Sequence, residues 1–186
     1  MMDYFKSVEF CLGCGKPTVE DCGCPAGTGL VLRKVNAVLR KVDVVEEIVS
    51  FTGVHFFLSN FYFTKIEFEG KLYPSVEHAY QAAKTLNQDE REQVRLCKSA
   101  GDAKRMGQKV TMREGWDNLK IPTMRQLLYK KFETGSELFN LLQRTGEATL
   151  AEGNWWGDQF WGICNGVGDN HLGKLLMEIR DGKGYR

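Results

Sequence analysis

Along the chain, the spacing of apolar and polar positions changes period several times, and each change marks an element. Ile48, Val49 and Phe51, then Phe56, Phe57 and Leu58, predict a short buried strand running into the aromatic loop Ser59-Asn60-Phe61-Tyr62. From Phe63 to Phe68 apolar and polar side chains alternate, Glu69-Gly70 supplies a turn, and Lys71-Leu72-Tyr73 returns, the pattern of a β-hairpin. Pro74 ends the second strand and Ser75 has the side chain of an N-cap. Val76 to Leu86 therefore reads as a helix entered directly from the hairpin.

The later segments are largely helical. Asp89 to Lys98 and Asp102 to Gln108 read as short helices broken around Gly101, Pro122 is expected to open a helix from Thr123 to Phe132, and Ser136 caps Glu137 to Arg144, which stops at Gly146. Leu150 to Glu152 fits a strand. Asn154 to Gly168 has no helical or strand period but holds Trp155, Trp156 and Trp161 among four glycines, which marks a structured functional loop or an aromatic mini-core. Asp169 or Asn170 caps a last helix, Leu172 to Arg180, with Leu172, Leu175, Leu176 and Ile179 as its core face.

Upstream of all this the composition shifts twice. Residues 1–29 form a Cys- and Gly-rich head, 30–46 a connecting segment, and 47–186 the domain proper. In the connector Leu-Arg-Lys-Val occurs at 32–35 and again at 39–42, too short a heptad run for a stable coiled coil. Cys11, Cys14, Cys22 and Cys24 crowd four thiols into the head beside Gly13, Gly15 and Gly23, which favours a structural zinc site over a redox pair or a reduced tail. A disulfide framework would spread its cysteines over the fold.

With 25 Lys and Arg against 24 Asp and Glu, no long-range field draws the whole molecule to duplex DNA or an anionic membrane, so a nucleotide ligand needs a local cationic site. No apolar run approaches a membrane span, and Met1 to Lys6 lacks the layout of a signal peptide. A cytoplasmic protein is expected.

Candidate chemistry concentrates in three places. On the helix after Ser75, Glu77, Gln81 and Lys84 stand at i, i+4 and i+7, which lines up a carboxylate, an amide and an ammonium. The same ladder is found on solvated helix faces, and His78 beside it reads more simply as a hydrogen-bonded structural histidine. The second place is Glu152, Asn154 and Asp158 among the tryptophans, where indole rings would strip water from a carboxylate and strengthen its action on a cationic transition state. Cleavage of a ribosyl bond passes through such a species and requires an anion near C1′, a positioned water and a proton for the leaving group. The third is Gly101-Asp102-Ala103-Lys104-Arg105-Met106-Gly107 with Arg113 and Trp116, which offers cations for phosphate and a ring for stacking but matches no phosphate-loop fingerprint.

From about Phe51 to Arg180 these blocks, in this order, resemble the NADAR family, the YbiA-like N-glycosidases. The resemblance is carried by Phe57-Leu58-Ser59-Asn60-Phe61-Tyr62, Tyr73-Pro74-Ser75-Val76-Glu77-His78-Ala79-Tyr80-Gln81-Ala82-Ala83-Lys84, the Gly101 to Gly107 run, Arg113-Glu114-Gly115-Trp116, Trp156-Gly157-Asp158 and Asn170 to Arg180. It implies an α+β, mainly helical domain that cleaves N-glycosidic bonds and needs no cofactor for catalysis. Family substrates are ADP-ribose attached to a nucleobase, notably guanine, and early riboflavin-pathway intermediates carrying ribosylamine phosphate. The resemblance also implies Glu77 and Asp158 as catalytic residues and Trp116 as a stacking ring, with Asn60, Tyr62, Lys104 and Arg113 along ribose and phosphate. His78, Gln81, Lys84, Trp156 and Asn170 complete the expected substrate contacts. Removal of ADP-ribose from ADP-ribosylated guanine, in nucleic acid or nucleotide, is the leading expectation. Hydrolysis of the riboflavin-type intermediate and a non-catalytic ADP-ribose or NAD binding module are the alternatives. Two features depart from the family: Trp155 is an extra ring in the loop, and the Cys-rich head lies outside the domain.

Overall fold

A computed structural model describes residues 46–183 of the chain. The four head cysteines and the repeat at 32–42 lie outside the described residues. Residues 46–183 form an α+β fold with substantial helical content.

Two short parallel strands, β1 (Glu47–Ile48) and β4 (Thr149–Leu150), pair with Ile48 opposite Leu150 and bring the segment after residue 48 beside the segment after residue 150. The run expected to continue as strand instead folds into a 3-10 turn, Gly53–Leu58, which buries Phe57 and Leu58. Its apolar spacing fits a helical turn as well as a strand, and so short a run leaves periodicity unable to decide. The hairpin forms as expected from β2 (Ile66–Phe68) and β3 (Lys71–Tyr73), paired antiparallel through Glu69 and Gly70, whose φ angles of 48° and 75° are those of a tight primed turn.

Ser75 then accepts a hydrogen bond from the His78 N–H and starts α1 (Val76–Ala83), every residue of which is buried. A helix hidden on all sides belongs at the centre of a fold. It packs against α2 (Gln88–Arg95), α3 (Ala100–Met106), α4 (Trp116–Lys131) and the hairpin. The solvated-face reading of the Glu77, Gln81, Lys84 ladder therefore fails. Gly101 lies inside α3 rather than breaking it, because Ser99 provides the cap and the helix begins at Ala100.

Pro122 is also inside its helix. α4 starts at Trp116, capped by Gly115 in the left-handed region, and passes through Pro122. Proline removes the hydrogen bond to the Asn118 carbonyl; both residues are solvent-exposed, so water can take the donor's place. α5 (Glu137–Gln143) is capped by Ser136, and α6 (His171–Arg180) lies on β4, with Gly173 so close to the Leu150 carbonyl that a Cβ would overlap it. Between them β5 (Gly153–Asn154) and β6 (Ile163–Cys164) form a second short parallel pair that closes the Trp-rich loop into a defined Ω-shaped turn.

Candidate active site

One side of α1 opens on a cavity of about 540 Å³, within the range that holds small ligands. Its walls come from five stretches of the sequence: residues 50–61, α1, α3, the first half of α4 and the loop 152–161. Eight of the twenty lining residues are aromatic. Tyr80 stands edge-on to Trp161 with centroids 5.5 Å apart and tilted against Trp116 at 5.3 Å, so the floor is a fixed ring cluster.

Glu77 sits in this floor at 6% exposure. Its Oε1 accepts from Gln81 Nε2 at 2.7 Å, one helical turn on, and its backbone N–H donates to the Asn60 carbonyl at 3.0 Å. Burial pushes the Glu77 carboxyl above the usual carboxylate range, while the Gln81 amide and the ammonium groups of Lys104 and Lys84 pull it back toward the anion. Lys84 is lowered, first by its own burial. Lys104 reaches over the ring of Trp156 at 5.5 Å and toward Phe61 at 6.0 Å, which places a cation at the aromatic mouth.

Asp158 faces the same space from the loop. Its Oδ1 accepts from the N–H groups of Trp161 at 2.9 Å and Phe160 at 3.2 Å, and the Asn154 side chain bonds its backbone on both sides. Asp158 thus shapes the loop and presents its carboxylate at once. Asn60 completes the group: its Nδ2 points at the Met124 sulfur, and its buried Oδ1 has no hydrogen-bond partner.

Eight expected residues therefore line one cavity: Glu77, Asp158, Asn60, Gln81, Lys84, Lys104, Trp116 and Trp156. Four do not. His78 is fully buried away from it, bonded to Ser75 Oγ at 2.8 Å and the Cys97 carbonyl at 3.2 Å. Adjacent to Glu77 on the helix, it necessarily points about 100° away. Asn170 is also structural, giving Nδ2 to the Leu150 carbonyl and taking the Glu152 N–H on Oδ1, while its own φ of 51° turns the chain into α6. Tyr62 packs on Phe56 and beneath the ammonium of Lys131, and Arg113 bonds the end of α1 through its backbone N–H to the Lys84 carbonyl.

The cavity also contains Glu152, singled out in the sequence among the tryptophans but given no role there, with Tyr80, Trp161 and the exposed Trp155. Glu152 is visible in the sequence as a carboxylate near the tryptophans, but only the tertiary fold brings it into the same cavity as Glu77. Despite three carboxylates here, no group of His, Cys, Asp and Glu among the described residues is arranged to hold a metal ion.

A model of the NADAR domain matches residues 50–182, the stretch that builds every wall of this cavity. The chain belongs to the NADAR family. Its relatives include the N-glycosidase YbiA of Shigella boydii, 41% identical over 126 residues that make up 66% of this chain and 78% of that protein. The NMR structure of YbiA from Escherichia coli is similar with a TM-score of 0.64 and 35% identity, over 75% of this chain and 89% of that one. A riboflavin biosynthesis protein of Vibrio vulnificus is 35% identical over 130 residues, 68% of this chain but 35% of that longer protein. NADAR membership places the chain among hydrolases of N-glycosyl bonds.

Proposed function

We propose that the protein hydrolyses the bond between a nucleobase and the C1′ of a phosphorylated ribose, and that its substrate is ADP-ribosylated guanine. The observation that carries this reading is the buried Glu77 carboxylate, polarised by Gln81 and set in an aromatic cavity with two lysines on the same side. As the C1′–N bond stretches, positive charge grows on the ribosyl carbon. An anion fixed in a water-poor site gains more from that charge than from the neutral ground state, which is what lowers a barrier.

The other residues take consistent tasks. Asp158 orients the ribose and the attacking water, Trp116 or Trp156 stacks on the base, and Lys84 with Lys104 holds phosphate. Asn60 stands along the ribose. We propose a cytoplasmic site for the reaction. Among the described residues no helix is long and apolar enough to cross a membrane. The four head cysteines are proposed to bind one structural zinc, to be checked by metal content per chain.

The name of the Vibrio relative favours a second reading, in which the substrate is a ribosylaminopyrimidine phosphate. Incubation with ADP-ribosylated guanine in an oligonucleotide and, separately, with that pyrimidine, followed by mass spectrometry, separates the two. Release of ADP-ribose from the first supports our reading and turnover of the second alone replaces it. Silence on both, with tight ADP-ribose binding, would mark a binding module.

A further inference from the structure

Hydrolysis at C1′ sets three tasks for acidic groups: an anion near the ribosyl carbon, a carboxylate to position and deprotonate water, and a proton for the departing nitrogen. The cavity holds three carboxyl groups, and their surroundings differ. Glu77 accepts the Gln81 amide and faces Lys84 and Lys104, which offset part of the burial that raises it and so favour its charged form over that of a carboxyl group without such partners. Asp158 accepts two backbone N–H groups on one oxygen, which suits an acceptor. Glu152 makes no side-chain hydrogen bond to any described residue, and the charges facing it are Asp158, Glu77 and, in opposition, Lys104.

Its position is nonetheless fixed. The Glu152 N–H donates to Asn170 Oδ1 at 3.2 Å and its carbonyl accepts from Ile163 at 2.8 Å, while Gly162 presses so closely on that carbonyl that a side chain there would collide. The backbone is thus clamped from α6 and from β6 with the side chain directed at the cavity. A carboxyl group held without hydrogen-bond donors, opposite two other carboxyl groups, is the one of the three whose protonated form its surroundings favour most.

We infer that Glu152 is the general acid of this site, delivering its proton to the nitrogen of the leaving base as the C1′–N bond breaks. The bonding pair goes to nitrogen, which takes the Glu152 proton. Water adds its oxygen to C1′ and yields a proton to Asp158. That proton leaves to solvent and Glu152 is reprotonated from solvent, so the sum is ribosyl-base plus water giving ribose hydroxyl plus free base. Burial, then repulsion from Asp158 and Glu77, lifts the Glu152 carboxyl to about 7, so the donor form is populated at neutral pH.

This role rests on the glycosidase reading above, and the experiment separates the two. kcat is measured from pH 5.5 to 9 for the wild type and Glu152→Gln, on whichever of the ADP-ribosylated oligonucleotide and the ribosylaminopyrimidine phosphate the wild type turns over. We expect wild-type kcat to fall as pH rises through about 7. Glu152→Gln is expected to lose roughly 10²- to 10⁴-fold in kcat with little change in KM and to lose that alkaline limb. A flat wild-type profile through neutrality overturns the assignment without any variant, as does a Glu152→Gln protein with wild-type rates. In both cases the wild type still turns over, so the glycosidase reading stands. A wild type silent on both substrates removes that reading and the acid with it.

Discussion

Single residues carry two opposed kinds of buried charge in this protein. Glu77 is an acid kept in a dry place for its chemistry, so Glu77→Gln should keep the fold, melt no lower than the wild type, and lose roughly 10²- to 10³-fold in kcat, as removal of one preorganised electrostatic group does. Lys131 is a base kept in a dry place with no carboxylate beside it among the described residues. It is 3% exposed, its Nζ donates to the Ser59 carbonyl at 2.6 Å, and burial lowers it to about 7. In the unfolded chain it binds its proton up to a pH of about 10.4. Between about 7 and that value the unfolded state therefore holds more protons than the folded one, and stability rises with pH. Below about 7 the cost is present in full. Lys131→Met should accordingly raise the melting temperature at pH 6 and flatten its rise toward pH 10, with a gain of roughly 3–5 kcal/mol at most. The Ser59 carbonyl keeps the Tyr62 N–H at 3.1 Å, so little is left unpaired.

Between elements, the contact of α1 with α3 decides whether the site is assembled. Gly107, just past α3, lies against the Gln81 side chain, and a Cβ there would occupy the space of its amide. Since Gln81 orients Glu77, we expect Gly107→Ala to cost about 1–3 kcal/mol in chemical denaturation and to lower kcat as well. A variant with full activity would show that Gln81 is dispensable. Element identity itself is largely readable in the chain: Ser75 and Ser136 cap the helices assigned to them, and Glu69-Gly70 makes the turn of its hairpin. Sequence and structure part where neighbours in space outweigh neighbours along the chain. Pro122 has the character of a helix start, yet packing of Trp116, Met124, Leu127 and Leu128 in the core carries α4 through it, because the missing hydrogen bond falls on the wet side. Asn170 has the side chain of a cap or ligand, yet it is spent on tying β4 to α6.

For the molecule as a whole, a formal charge of +1 means that attraction for a phosphorylated substrate comes from Lys84 and Lys104 rather than from the overall field. Binding should therefore weaken only gently with salt, with a log–log slope of roughly −1 to −2 between 50 and 200 mM, as expected for about two phosphate contacts. A much steeper slope would require a basic track along a nucleic acid outside the cavity. Over the described residues, the hairpin and its turn, the caps of α1 and α5, the existence of the main helices, and the presence of Glu77, Asp158 and the tryptophans were determined by sequence alone, since these depend on residues within a few positions of one another. Which polar side chains share the cavity was decided only by tertiary structure. Packing of the segment after β4 beside the segment after β1 and around α1 puts Glu152 in one cavity with Glu77 from far along the chain, while a single step around α1 separates the cavity-lining Glu77 from its structural neighbour His78. Residue type states what a side chain is able to do; the packing of distant elements sets what it faces.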